Sequence, residues 1–131
     1  MSEIKVDSLT GKTTAKTVTV TVGATATQSL EQGLAKAWCT FDASSGTPTI
    51  LDDVNVSTLT DQDIGQQTVN FTNNFNNAYY ATNATTGQGG NKNAVYEGTA
   101  TSSVEVRTQV ATTGVFTDYD HVTSVHHGDL A

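Results

Sequence analysis

Apolar and polar residues alternate with period two in several short runs of this chain, which is the pattern of half-buried β-strands. Glycine, serine, threonine and asparagine separate these runs and favour turns. The number and spacing of the runs predict an all-β fold: an antiparallel sandwich of about seven or eight strands with a jelly-roll-like arrangement. The runs are Lys16–Val22, Lys36–Asp42, Thr49–Leu51, Val54–Ser57, Thr68–Thr72, Ala94–Thr99, Ser103–Val110 and Tyr119–His127.

The run Lys36–Asp42 contains the only cysteine and the only tryptophan of the chain. As a strand, it places Ala37, Cys39 and Phe41 on one side and Trp38 on the other. We interpret Cys39 as a small buried hydrophobic residue, since no pattern around it suggests a catalytic thiol.

One segment, Thr27–Ala37, follows a helical pattern instead. Thr27 suits an N-cap, and Leu30, Leu34 and Ala37 recur at the spacing of one helix face. So short a helix is not stable alone in water. We therefore predict that Leu30, Leu34 and Ala37 form a trimer interface, where three copies of the helix pack around an axis.

The composition also favours an oligomer. Leu, Ile, Val and Phe together account for 27 of 131 residues, close to the fraction of about 20% below which charged chains tend towards disorder. Threonine is abundant, with 25 residues, and β-branched side chains suit sheets better than helices. A thin core in a β-rich monomer predicts that a homo-oligomer completes the burial of apolar surface.

Charge and hydropathy exclude several classes of protein. The net charge of −7, with only six Lys and Arg residues, argues against a nucleic-acid partner. No apolar run approaches the length of a membrane span, and the start has no signal-peptide pattern, so we expect no membrane insertion. A single cysteine forms no intrachain disulfide, which fits synthesis in a reducing cytoplasm.

The first residues have no firm periodicity and predict an extended arm that partners order. Within this arm, Ile4, Val6 and Leu9 are the apolar candidates for contact with a partner. The predicted organisation is an arm over residues 1–16, a strand and trimerisation helix over 17–37, and a β-sandwich over 38–131.

Two acidic residues, Asp61 and Asp63, lie in a polar stretch that we predict to be a loop. Calcium-binding EF-hand loops need alternating oxygen ligands, a central glycine and a terminal glutamate, and only fragments of this pattern are present. We interpret the carboxylates as solvated turn residues.

The three histidines, His121, His126 and His127, all lie near the end of the sequence. On a strand, His121 and His127 share a face that His126 does not. We expect ordinary surface or interface histidines. A three-nitrogen metal site on a trimer axis is the alternative, but without a His-x-His spacing we predict no metal and no cofactor.

Aromatic residues are the candidates for a sugar-binding face, because sugar rings stack on them. Strand alternation places some of them in the core, and no nucleophile-elbow pattern accompanies any serine. We therefore predict that the chain is not an enzyme and keep a carbohydrate-binding tip as the alternative. The aromatic candidates are Trp38, Tyr79, Tyr80, Tyr96 and Tyr119.

Two longer segments carry a resemblance to a known kind of protein. Val54–Ala81 reads as N-V-S, a polar loop with Asp and Gly, T-V-N-F-T, and N-A-Y-Y-A, while Gly33–Asp42 begins G-L-A-K-A-W. This order resembles a short domain of structural proteins from tailed bacteriophages, especially marine ones. Ser2–Asp7 and His127–Ala131 resemble the two ends of such proteins. The loop around Asp61 lacks the second glycine that is usual there, and a cysteine at position 39 replaces a more usual aliphatic residue.

The resemblance implies a virion structural protein, such as a fibre or capsid decoration protein, that acts in assembly, stabilisation or host attachment. Its partners would be further copies of itself, capsid or tail proteins, and a glycan or protein of the host surface. Recognition often lies on loops that the core constrains little. For this chain the loops in question are Asp61–Gly65 and Gly87–Gly90.

Overall fold

The chain divides into two units, residues 1–34 and 35–131. The computed structural model describes Ser8 and residues 18–22, 26–87 and 89–131. Apart from Ser8, the predicted arm lies outside the described residues, and so do Ile4, Val6 and Leu9.

The first unit contains an antiparallel hairpin and a single helical turn. β1 (Thr19–Val22) pairs with β2 (Ala26–Ser29), and α1 (Leu30–Gly33) follows directly. The predicted helix over residues 27–37 is therefore wrong for most of its length. Thr27 pairs with Thr21 in the hairpin, and Ala37 begins the next strand.

The physical reason is the cost of starting a helix, since its first turn fixes three residues for one hydrogen bond. The hairpin instead gives residues 26–29 cross-strand partners. Leu34 is 55% exposed and Leu30 is partly buried, whereas Ala37 is fully buried in the second unit. The three residues do not share one helix face, so trimerisation stays a prediction without the interface that we assigned to it.

Eight strands form the second unit among the described residues. They are β3 (Ala37–Asp42), β4 (Thr49–Val54), β5 (Val56–Asp63), β6 (Gln66–Phe71), β7 (Ala81–Thr86), β8 (Lys92–Ala100), β9 (Ser103–Val110) and β10 (Val122–His127). One antiparallel sheet has the order β4-β3-β10-β7 and the other has the order β5-β6-β9-β8.

The core lies between these two sheets. In β3, β6, β9 and β10, the central strands, buried residues alternate with partly buried ones. Phe41 and Val122 of the first sheet and Val69 and Val106 of the second all lie in the buried cluster. The prediction of an all-β antiparallel sandwich is confirmed, and so is the burial of Cys39.

The connections between strands differ from those of a jelly roll. β3–β4, β5–β6 and β8–β9 are hairpins within one sheet, and the remaining links cross from one sheet to the other. A jelly roll consists of two Greek keys across its two sheets. The jelly-roll-like arrangement that we predicted is therefore not seen.

The run Val54–Ser57 is not one strand, because Asn55 turns the chain between the two sheets. Asn55 has a φ of 58°, a conformation that asparagine tolerates better than most residues. Val54 ends β4 and Val56 begins β5. The predicted long loop is also wrong: β5 continues through Asp63, and only Ile64 and Gly65 form the turn to β6.

Candidate recognition site at the tip of the sandwich

The second unit has two distinct ends, since its strands alternate in direction. We call the end where Ala35 lies the base and the opposite end the tip. Odd-numbered strands run from the base to the tip, and even-numbered strands return. The segments at the base are residues 35–36, 55, 72–80, 101–102 and 128–131. The turns at the tip are residues 43–48, 64–65, 87 with 89–91, and 111–121.

The segment 111–121 connects the other three tip turns through hydrogen bonds. The amide of Ala43 donates to the carbonyl oxygen of Tyr119 at 3.0 Å, and the amide of Gly87 donates to that of His121 at 2.6 Å. The carboxylate of Asp118 accepts a hydrogen bond from the amide of Gly65 at 2.7 Å. The structure thus places both loops that we predicted for recognition, around Gly65 and Gly87, at one end on a common support.

At Gly65, the turn between β5 and β6 packs directly against the backbone of Thr108 and Thr117. The φ of Gly65 is 67°, and a Cβ atom at this position would lie 2.4 Å from the carbonyl oxygen of Thr108. Asp118 also accepts a hydrogen bond from the side chain of the buried Gln67 at 2.9 Å. One carboxylate therefore fixes both the backbone turn and the first strand after it.

Exposed apolar side chains flank this turn. Ile64 and Val115 are each 60% exposed, and Phe116 is 37% exposed. The guanidinium carbon of Arg107 lies 5.5 Å from the centre of the Phe116 ring. Sequence reasoning missed these residues because an isolated Val-Phe pair between two strands has no periodicity to interpret.

A buried chain of polar side chains runs through the first sheet. The Cys39 Sγ lies 3.5 Å from the Ser124 Oγ, which lies 3.2 Å from the His126 Nε2. The His126 Nδ1 in turn lies 3.2 Å from the Thr82 Oγ1. The prediction of a surface or interface position is wrong for His126, because its side chain lies on the same buried side of β10 as those of Val122 and Ser124.

Although cysteine, serine and histidine side chains meet here, their protonation states do not suit a nucleophile. Burial raises the pKa of the Cys39 thiol to about 11, although the Ser124 hydrogen bond acts in the opposite direction. Burial, with a smaller effect from the nearby His127, lowers the pKa of His126 to about 4. Both side chains are neutral at pH 7 and fully buried, so the chain of hydrogen bonds is a structural network.

We expect Cys39 to resist thiol reagents for as long as the sandwich stays folded. The thiolate is the reactive form, and it is scarce when the pKa is about 11. The rate of labelling by a chromogenic disulfide at pH 8 should follow the rate of unfolding and rise steeply in denaturant. Labelling of the native protein at the rate of a free thiol would contradict the burial of Cys39.

The aromatic candidates do not converge on one surface. Tyr80 packs in the core at the base, stacked on Phe75 with ring centres 4.2 Å apart. Tyr79 is 95% exposed but also lies at the base, and Tyr96 lies on the edge strand β8. Trp38 is partly buried on the outer side of β3. Tyr119 lies in the tip segment and is partly buried against the core. The five candidate rings of the described residues therefore do not gather into one platform for a sugar ring.

The carboxylates Asp61 and Asp63 are solvated, as expected, but they belong to β5 and not to a turn. His121 is exposed and His127 is partly buried. Within the described part of the chain, no three His, Cys, Asp or Glu side chains are grouped so that they could hold a metal ion. No helix among the described residues has the length and apolar character that crossing a membrane requires.

The chain was compared with known protein families, curated proteins and solved structures. None of the three comparisons finds a match.

Proposed function

We propose that this chain is a structural protein of a tailed-bacteriophage virion, a capsid or tail fibre or decoration protein. It acts in particle assembly, stabilisation or host attachment. The resemblance of Gly33–Asp42 and Val54–Ala81 to phage structural proteins supports this proposal. Those segments include β3, β5, β6 and the base segment 72–80, which together supply much of the core.

The observation that carries the proposal is that the second unit has two different ends. Residue 35, the first residue of the second unit, lies at the base, whereas four turns gather at the tip. A protein that is anchored on a particle needs one end for attachment and another that faces outwards. In this function the arm docks on the capsid or tail through Ile4, Val6 and Leu9, and the tip faces away from the particle.

A homotrimer is part of the proposal, supported by the small core and by Leu34, which is exposed in a single chain. The predicted helix face is not formed, so the proposal keeps Leu30 and Leu34 only as individual candidate contacts, and Ala37 is assigned to the core. Three tips on one particle site would raise the apparent affinity for a host surface through avidity.

Deleting residues 2–15 is expected to remove the protein from purified virions without unfolding the second unit. Its melting temperature should shift by less than about 4 °C, roughly the effect of 1 kcal/mol in a domain of this size. Mass spectrometry of density-purified particles, grown with the variant as the only copy, measures incorporation. Labelled antibody against the second unit locates the full-length protein on head or tail by electron microscopy.

A length-matched control separates apolar docking from arm length. The triple variant Ile4→Ser, Val6→Ser and Leu9→Ser keeps the full length of the arm and should also be absent from particles. If the deletion variant is incorporated at the wild-type level, the arm is not the attachment element. If only the triple variant is incorporated, the arm attaches the protein but not through these three apolar side chains. If the full-length protein is absent from virions, the proposed function is wrong.

A further inference from the structure

Three exposed apolar residues lie at the tip, and we call them the tip patch: Ile64, Val115 and Phe116. Gly65 brings its parts together, since a Cβ atom at Gly65 would lie 3.1 Å from the Phe116 Cβ. Val115 is held in place because its carbonyl oxygen accepts a hydrogen bond from the Val110 amide at 2.8 Å. The patch is thus an apolar surface on a fixed backbone.

Acidic side chains surround the tip patch. Asp61 and Asp63 are exposed on the strand that ends at Ile64, and the Asp63 carboxylate accepts a hydrogen bond from the Ile64 amide at 2.8 Å. The nearest cation, Arg107, is already paired with both Glu97 and Glu105. Among the described residues, the rim of the patch is therefore negatively charged.

The other charged side chains at the tip leave the charge around the patch negative. Lys92 pairs with Asp120 at 3.4 Å, and its amine lies 4.8 Å from the centre of the Tyr119 ring. Asp42 and Asp118 add two more carboxylates at the same end. A partner that covers the patch must place apolar atoms over its centre and positive charges opposite its rim, because complementary potentials favour docking and like charges oppose it.

We propose that the tip patch is the docking surface for a protein whose contact area has an apolar centre and a rim of lysine or arginine. This inference rests on the proposed function and names the kind of host partner that the tip would recognise. Exposed Ile, Val and Phe side chains are suited to burial against another protein. An anionic membrane or a phosphorylated glycan would meet repulsion from the carboxylates, and a neutral glycan would find no stacked aromatic platform.

The test uses synthetic amphipathic peptides as probes of this chemistry. A fluorescent Leu/Lys peptide, a Leu/Glu peptide of the same pattern and a Ser/Lys peptide are titrated with the purified full chain, and binding is followed by anisotropy. The Leu/Lys peptide should bind at least about tenfold more tightly than either of the others, a difference of about 1.4 kcal/mol. Its affinity should fall with added salt.

Matched variants locate the binding. Ile64→Ser with Val115→Ser should weaken Leu/Lys binding about tenfold or more, since both side chains belong to the tip patch. Leu51→Ser with Val54→Ser removes two similarly exposed apolar side chains from β4 and should leave binding unchanged. Thermal melting checks that both double variants fold.

Several outcomes would overturn the inference. Equal loss of binding in the two double variants would show that general hydrophobicity explains it, and equal affinity for the Leu/Glu peptide would show that charge plays no part. Patch-dependent binding to phosphatidylglycerol vesicles or to free oligosaccharides in place of the Leu/Lys peptide would assign the tip to a membrane or a glycan. Any of these results leaves the proposed function intact if the protein is found in virions, so the two failures are distinguishable.

Discussion

Replacing Gly65 with alanine is expected to lower the free energy of unfolding by about 3 kcal/mol. A φ of 67° costs an L-residue roughly 1 kcal/mol or more. The new methyl group would lie 2.4 Å from the Thr108 carbonyl oxygen and 2.7 Å from the Thr117 nitrogen, so the backbone must move. Movement would weaken the hydrogen bond from the Thr108 amide to the Gly65 carbonyl oxygen, now 2.8 Å long. Chemical denaturation of both proteins measures the difference.

Gly46→Ala is the matched control for this substitution. Gly46 has a similar φ of 76°, but no heavy atom lies within 4 Å of the position that its Cβ would take. Alanine there should cost only the backbone strain, about 1 kcal/mol. If both substitutions have the same effect, the close contact at Gly65 does not support the tip. Gly65→Ala should also weaken binding at the tip patch, because Ile64 and Phe116 are positioned through this turn.

The part of the fold that sequence predicted best is the part where one face of a strand is buried and the other is not. In β3 and β9 buried residues alternate with partly buried ones, and the buried residues are apolar except for Thr108. Such strands are predictable because successive side chains point to opposite faces, so that apolar residues mark the buried face.

The predictions that were wrong concern segments in which the sequence pattern does not show where the backbone turns or pairs. Val54 and Val56 look like neighbours on one strand face, but the turn at Asn55 sends them to different sheets. Asp61 and Asp63 suggested a loop, yet they belong to an edge strand, where one side meets water and charged residues are tolerated. Leu30 and Leu34 have helical spacing, but hairpin pairing of the preceding residues leaves only one helical turn.

The candidate site was predictable only in outline. Gly65 and Gly87 marked two turns, but nothing in the sequence showed that Asp118 and the segment around it would join them. The tip patch arises from residues about fifty positions apart, and its apolar members are too few to form a periodic pattern. Long-range pairing of β6 with β9 brings them together.

The burial of His126 was also not predictable from the sequence. It leads to the second large expected effect, a loss of folding stability in acid. His126 lies between Ser124 and Thr82, and its ring centre lies 5.3 Å from that of Phe71. The ionisable groups nearest to it are His127, which lowers its pKa, Tyr80, with a pKa of about 12, and Cys39, beyond Ser124. No carboxylate is hydrogen-bonded to the imidazole among the described residues, so a positive charge there would be buried without compensation.

Acidification from pH 7.5 to pH 4 is therefore expected to destabilise the second unit by about 3 kcal/mol. In the folded state the pKa of His126 is about 4, compared with a usual value of 6.5, so between these values the unfolded chain binds more protons. The contribution of the neutral histidine is fully present above pH 6.5 and is lost as the pH falls towards 4. Each unit of the difference is worth 1.36 kcal/mol. Denaturant titrations at half-unit intervals of pH measure the slope.

Two variants assign this slope to one side chain. His126→Gln retains polar atoms for Ser124 and Thr82 but has no charge to gain, so its stability should be lower at pH 7.5 and nearly independent of pH between 6.5 and 4.5. His127→Gln removes the neighbouring, partly buried histidine and should keep most of the slope. If His126→Gln loses stability on acidification as steeply as the wild type, other groups cause the acid sensitivity.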